Sequence, residues 1–316
     1  MNRVVITGAS GFVGPWVCRA FRSRGWNVTA AVRSKEETKL DADRVVEVGD
    51  LREFTAWSSL LADAATVVHL AGRAHRMREA DEASSIYHPV NVTATARLAT
   101  AAREHGVGRF VFMSSIKAMG EERATPYTES DAPAPMDAYG VSKLDAEREV
   151  QKAAGARMQW IVVRPPMVYG PGGKGNVPRL VRLARMGMRV PLPIAGIRNL
   201  RSMIFVGNLA ELVVLLATHP KAANEVFLAS DGEDVSTPEL LRRFAEALDG
   251  HLRTFPVPTS LLVGAGRAMG LTEETRRFVG SLVVDTSKAE RLLQWVRAFT
   301  MHEGLRQTVA HAHRHR

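Results

Sequence analysis

The chain has 316 residues, 46% of them hydrophobic and 24% charged, which is enough to bury a large core in one big domain or two lobes and excludes a disordered chain. Its single cysteine, Cys18, excludes a disulfide framework and a cysteine metal cluster and suits a reducing cytoplasm. The net charge of +9 is scattered along amphipathic segments, which points to anionic small ligands and not to nucleic acid or a membrane.

The first predicted element is the apolar run from Arg3 to Thr7, a buried strand, followed at once by Gly8, Gly11 and Gly14 and an amphipathic helix through Phe21. A strand that opens through glycines into a helix lets backbone amides approach a pyrophosphate at the helix N-terminus. The spacing is Gly-x-x-Gly-x-x-Gly, not Gly-x-Gly-x-x-Gly. The second strand, Trp26 to Val32, should end beside an adenosine ribose, where an acid would bind the 2′-hydroxyl of NAD. Val32 and Arg33 stand there instead, and a cation without a carboxylate suits the 2′-phosphate of NADP, so NADP(H) is preferred with NAD(H) still possible. Val45 to Leu51 supplies a third strand, with Asp50 placed either to meet the adenine amine or to cap its own turn.

Thr66 to Gly72 is the fourth strand, with small residues where the chain passes a cofactor, and its His69 reads as a core histidine. Arg109 to Met113 is the fifth, ending in Ser114 and Ser115 at the edge where open α/β sheets bind ligands. Tyr139 and Lys143 follow on one helical face, a spacing at which an ammonium can act on a phenol and lower its pKa from about 10 toward neutrality. The βα alternation lasts to about Val168, Pro- and Gly-rich segments then interrupt it, and regular elements return at Ile204 to Val206, at the apolar helix to Thr218 and at Glu225 to Ser230. That helix is too short to cross a bilayer of about 30 Å. The terminal run His311 to Arg316 is expected to be a solvated disordered tail, and no metal is expected.

Taken in order, these stretches resemble the extended short-chain dehydrogenase/reductase family, in its nucleotide-sugar epimerase, dehydratase and 4-ketoreductase branch, similar to the UDP-glucose 4-epimerases. Thr7 to Gly14 resembles its cofactor turn, Asn91-Val-Thr-Ala-Thr a helix start, Ser115 to Gly120 its active-site strand end and Arg164 to Gly172 the segment leading into a substrate region, with Met167 in place of the usual Asn. Asn176-Val-Pro-Arg179 resembles a diphosphate-gripping element, Arg201 to Asn208 a related one lacking two acids, and Asp285 to Trp295 a C-terminal signature.

The resemblance implies a doubly wound parallel Rossmann-type sheet over residues 1–168 plus about 202–231, and a smaller nucleotide-sugar lobe over about 169–201 and 232–316. It implies Ser115, Tyr139 and Lys143 as catalytic residues. Cofactor contacts fall on Thr7, Gly8, Gly11, Phe12, Val13, Gly14, Arg33, Asp50, Leu51, Leu70, Ala71, Gly72, Asn91 and Pro166, together with Tyr139 and Lys143. Substrate contacts fall on Ser115, Lys117, Asn176, Arg179 and Arg201, for a UDP- or dTDP-linked sugar.

The expected chemistry is at C4 of the sugar. A 4-keto-6-deoxy-sugar reductase is preferred because Arg33 suits NADPH; a UDP-hexose 4-epimerase is the alternative, and a non-catalytic NADP sensor a remote one. Dehydration is disfavoured because Ile116-Lys117 lacks an acid pair. A homodimer is expected through the helices near Asn91 and Tyr139, whose small and aliphatic residues recur at helical spacing.

Overall fold

A computed structural model describes residues 2–35, 40–73, 83–123, 125–173 and 175–314. The strands are β1 (Arg3–Thr7), β2 (Asn27–Val32), β3 (Arg44–Glu47), β4 (Thr66–His69), β5 (Arg109–Met113), β6 (Gln159–Arg164), β7 (Met167–Tyr169), β8 (Met203–Phe205) and β9 (Glu225–Leu228). Seven of them form one parallel sheet in the order β3-β2-β1-β4-β5-β6-β9, and β7 and β8 pair separately. Strand order reverses between β1 and β4, the switch point where such sheets open a crevice at their C-terminal edge.

Both faces of the sheet are covered because its strands are apolar throughout, and alternate residues point to opposite sides. Val4 and Ile6 of β1 face the layer of α1 (Gly14–Arg22), α7 (Val206–Thr218) and α11 (Ser287–Leu293). Val5 faces the other, built from α2 (Trp57–Leu61), α4 (Ala94–Glu104) and α5 (Ala138–Ala154). A short helix α3 (Ala83–Tyr87) runs into α4 through a widened π turn over His88–Thr93. A third apolar cluster, including Tyr169, Val181, Phe205, Leu241 and Leu305, gathers α6 (Asn176–Arg189), α8 (Thr237–Ala247) and α12 (Met301–Arg314). Two further helices, α9 (Thr259–Ala268) and α10 (Thr272–Val279), pack at its edge through Leu262, Phe278 and Val279.

Several expectations change here. The strand at Ile204 does not return to the main sheet; it pairs with β7, because Phe205 packs against Trp16, Tyr169 and Phe299 in the third cluster. Asn91 is not at a helix start but inside the π turn, which has Pro89 in its first turn and aims the Asn91 side chain inward. The tail is helical as far as Arg314, since Met301, Leu305 and Val309, one turn apart, are all buried; the last two residues of the His311 to Arg316 run lie outside the described residues. The small and aliphatic positions of α4 and α5, such as Leu98, Ala102, Ala146 and Val150, pack on the sheet and not outward, leaving Val141 exposed on a mostly polar outer face.

Helix α5 is the element that carries the candidate chemistry, and it is fixed at both ends and in the middle. Asp137 caps its start by accepting from the Gly140 amide at 2.7 Å, and Gly155 ends it at φ 53°. In the middle Glu147 is 1% exposed and meets Arg164 of β6, which donates Nε at 3.0 Å and Nη2 at 2.5 Å. The Ser114 hydroxyl, at the end of β5, donates to the same carboxylate. Removing one partner strands the other charge in the interior, so Glu147→Ala is expected to lower the unfolding free energy by about 3–5 kcal/mol. Urea denaturation checks this, and a loss below about 1 kcal/mol would contradict it.

Candidate active site

The first turn of the chain forms a cradle that a cofactor pyrophosphate would fit. Gly8 adopts φ +68°, and a Cβ there would sit 2.6 Å from the Ala71 amide nitrogen; one on Gly14 would sit 2.2 Å from the Ala9 carbonyl. Both contacts require glycine, and they bring the turn, with Phe12 and Val13 at the start of α1, against Leu70, Ala71 and Gly72 at the end of β4. The Leu70 amide donates to the Thr7 carbonyl at 3.1 Å. The residues present therefore suit a dinucleotide.

Arg33 is exposed at the end of β2, and its charge reaches Asp50. Asp50 turns out to cap its own turn: it accepts from the Arg52 amide at 2.9 Å and from the Arg52 guanidinium, which holds its carboxyl down at about 2. Its neighbour Leu51 is half-buried.

At the C-terminal edge of β5, Ser115 caps the short turn Ile116–Ala118 by accepting from the Lys117 amide, and its hydroxyl lies beside the Tyr139 phenol. Tyr87 meets the Tyr139 ring edge to face at 5.7 Å. Lys143, one helical turn on, is buried; its ammonium donates to the Met113 carbonyl at 2.6 Å and sits 4.3 Å from the centre of the Phe112 ring. Pro166 lies buried just beyond β6, next to Pro165, whose carbonyl accepts from the Ile116 amide at 3.0 Å.

The expected depression of the phenol is absent. Burial pushes Tyr139 up to about 12, with the Ser115 hydroxyl beside it only partly opposing this, and burial brings Lys143 down to about 8 while Glu147 pulls it back up. Sharing one helical face put both groups at the sheet edge, but there desolvation outweighs their mutual effect and the ammonium spends its hydrogen bond on Met113. The resting phenol is neutral.

Behind these groups runs a relay that sequence reading missed. Thr95 donates to the Asn91 carbonyl at 2.6 Å, so it accepts from His69 Nε2 at 2.9 Å, leaving Nδ1 to accept from the Thr7 hydroxyl at 2.6 Å. Burial pushes His69 down to about 3 and keeps it neutral. The Asn91 side chain accepts from the Arg73 amide at 2.8 Å and donates to Ser142 at 3.0 Å, and Ser142 donates to the Tyr139 carbonyl. The cofactor turn, β4 and the catalytic helix are thus joined by hydrogen bonds. Glu147 was also missed, although its place four residues after Lys143 could have signalled it.

The expected substrate residues divide. Asn176 and Arg179 are exposed at the start of α6, near the turn, because Gly173 packs on the Phe12 ring. Lys117 is held by Glu121 and, at 2.7 Å, by Asp137. Arg201 is directed into the protein: its guanidinium donates to the Arg277 and Gly280 carbonyls at 2.6 and 3.0 Å, and burial lowers its pKa. It braces α10, whereas the resemblance had assigned it to a diphosphate.

Residues 4–229 match the NAD dependent epimerase/dehydratase family. A UDP-glucose 4-epimerase of Vibrio cholerae is 39% identical over 96% of this chain and 94% of its own length. An N-acetyl-alpha-D-glucosaminyl-diphospho-ditrans,octacis-undecaprenol 4-epimerase of Escherichia coli O157:H7 is 27% identical over 98% of this chain and 94% of its own. Among solved structures, MoeE5 in complex with UDP-glucuronic acid and NAD is 26% identical over the full length of both chains, with a TM-score of 0.78.

Because Lys143 titrates at about 8 folded against 10.5 ordinarily, the unfolded chain binds more protons between those values and stability should rise with pH there. Lys143→Met is expected to remove that rise when denaturation midpoints of both proteins are compared across the window. Identical slopes would show that Lys143 does not titrate in this way.

Proposed function

The chain belongs to the NAD dependent epimerase/dehydratase family, and from that premise we propose that it is an oxidoreductase acting at C4 of a UDP-linked hexose, as a 4-epimerase. The observation that carries this is the placement of Ser115 beside Tyr139, one helical turn from Lys143, at the edge where the glycine turn opens. The 39% identity to a UDP-glucose 4-epimerase supports the epimerase over the single-step reductase that Arg33 alone suggested.

Bound at the glycine turn, a nicotinamide dinucleotide supplies a hydride acceptor that can return what it takes. Ser115 would hold the sugar O4 by hydrogen bond, and Tyr139, once its phenol has lost its resting proton to solvent, would take the O4 proton as C4 is oxidised and give it back on reduction. Lys143 sets the charge beside the phenol and offers donors to a ribose. Asn176 and Arg179 would hold the diphosphate, so that binding energy remote from C4 orients the reacting carbon and leaves the sugar itself free to present either face. Arg201 contributes through α10 and not by direct contact. A homodimer through the outer faces of α4 and α5 belongs to the same proposal; it would steady the helix that bears Tyr139.

A 4-ketoreductase using NADPH is the second reading. Two observations favour it: Arg33 ends β2 with no acid at that position, and the resting phenol is already a proton donor. The test is to supply UDP-glucose without added cofactor and follow UDP-galactose, and separately to supply a nucleotide-linked 4-keto-6-deoxy sugar with NADPH. Product from the first supports the epimerase; product from the second alone supports the reductase; cofactor binding without either product contradicts both.

Tyr139→Phe is expected to lower turnover by at least about 100-fold with cofactor binding nearly intact, since it removes the transferable proton and little else. Activity within about tenfold of wild type would remove Tyr139 from the chemistry. If NADPH is the physiological cofactor, Arg33→Ala should weaken its binding by about 1.5–3 kcal/mol more than that of NADH. Equal losses in a titration of the two would make Arg33 a solvated loop residue.

A further inference from the structure

Two helices of this protein are built from nearly the same residues and have opposite surroundings. Helix α7, Val-Gly-Asn-Leu-Ala-Glu-Leu-Val-Val-Leu-Leu-Ala-Thr, is buried on almost every side, as an apolar helix should be. Helix α9, Thr-Ser-Leu-Leu-Val-Gly-Ala-Gly-Arg-Ala, buries only Gly266, where it packs on Thr275 of α10. Leu261 is 63% exposed and Met269, at its end, 67%.

The exposed apolar surface does not stop at α9. The Arg253 amide donates to the Gly187 carbonyl, the Phe255 amide to the Leu192 carbonyl, and the Thr259 hydroxyl to the Gly196 carbonyl, so α9 is continuous with the C-terminal end of α6. Met186, Val190, Phe255 and Leu271 are all exposed along that path. Single exposed apolar residues need no explanation, but a contiguous run on one side of a molecule does.

The charge on that side has one sign over long stretches. From Asn176 to Arg201 there are six arginines and no acid, Arg201 alone of them directed inward, and between Gly250 and Thr272 there are two arginines and no acid. Arg182, Arg189, Arg198, Arg253 and Arg267 are exposed. The nearby acids are Asp249, Glu239, which faces Arg198 and Thr254 but is held by Arg242 and Arg243, and Glu273 and Glu274 in the first turn of α10, the first of them answered by Arg276 at 3.9 Å. Folding thus gathers charge that looks scattered along the chain.

We propose that the face formed by α9, the Arg253–Phe255 segment and the end of α6 docks on the surface of an anionic phospholipid bilayer, its apolar side chains entering the headgroup boundary and its arginines meeting lipid phosphates. Among the described residues no helix is long and apolar enough to cross a membrane, so the contact is peripheral. Charge complementarity selects this occupant. A second copy seated on the same face across a two-fold axis would set arginine against arginine, whereas anionic lipid accepts both the guanidiniums and the apolar tips.

Sucrose-loaded vesicles of phosphatidylglycerol with phosphatidylcholine should sediment the full-length protein at least about tenfold more than phosphatidylcholine alone, with release at high salt. The double variant Leu261→Asp/Met269→Asp should lose about tenfold or more of that binding with its circular dichroism unchanged, because both side chains are exposed. Should that variant fail to fold, Arg189→Glu/Arg253→Glu carries the same expectation. Equal sedimentation by the two vesicle types, none by either, or binding indifferent to the substitutions overturns the proposal. Loss of a dimer in the double variant by light scattering also overturns it, since a second copy would then own the face.

Discussion

Glu147 accepts three hydrogen bonds, two from the Arg164 guanidinium and one from the Ser114 hydroxyl, in a place that water does not reach. Those partners stand at the C-terminal ends of two neighbouring strands, β6 and β5, and Glu147 is on α5, so the helix cannot slide along the sheet without uncovering a buried charge. One turn back on the same helix is Lys143 and a further turn back Tyr139, while Ser115 is the residue after Ser114. The ion pair therefore sets the relative positions of all three groups proposed to act on substrate. A buried pair is a poor source of net stability; here its value is registry, because its geometry admits a single arrangement of helix and strands.

The same burial that fixes the site also sets its protonation. A phenol and an ammonium drawn into the protein edge each lose hydration of their charged forms, so Tyr139 moves up and Lys143 down. The pair at rest is less polarised than free solution values would make it. Such a site has its proton on the phenol before any sugar arrives. On the cofactor side, the His69 relay holds Thr7, β4 and the π turn in register with neutral hydrogen bonds alone.

Most of the sheet was legible because parallel strands buried on both faces read as continuous apolar runs, and β1 to β5 fall within the runs read as strands. The β7–β8 pair was not, because a three-residue strand carries no period and its partner is chosen by the packing of Phe205. Ser115, Tyr139 and Lys143 stood out through spacing and resemblance, yet spacing could not reveal that desolvation would dominate their titration. The bonds from Arg201 to carbonyls at the end of α10 carried no sequence signal, and helical periodicity in α4 and α5 could not say whether the aliphatic face met the sheet or another molecule. The acid-free stretches were present in the sequence all along; only the fold brings them to one side.

The proposal that Tyr139 and Ser115 act at C4, with the same hydride leaving and returning to that carbon, is tested most directly with UDP-glucose deuterated at C4. The protein is expected to yield UDP-galactose with the deuterium still at C4, without wash-out into water. Product that has exchanged its label with solvent, or label retained in unreacted UDP-glucose with no UDP-galactose formed, would contradict the account.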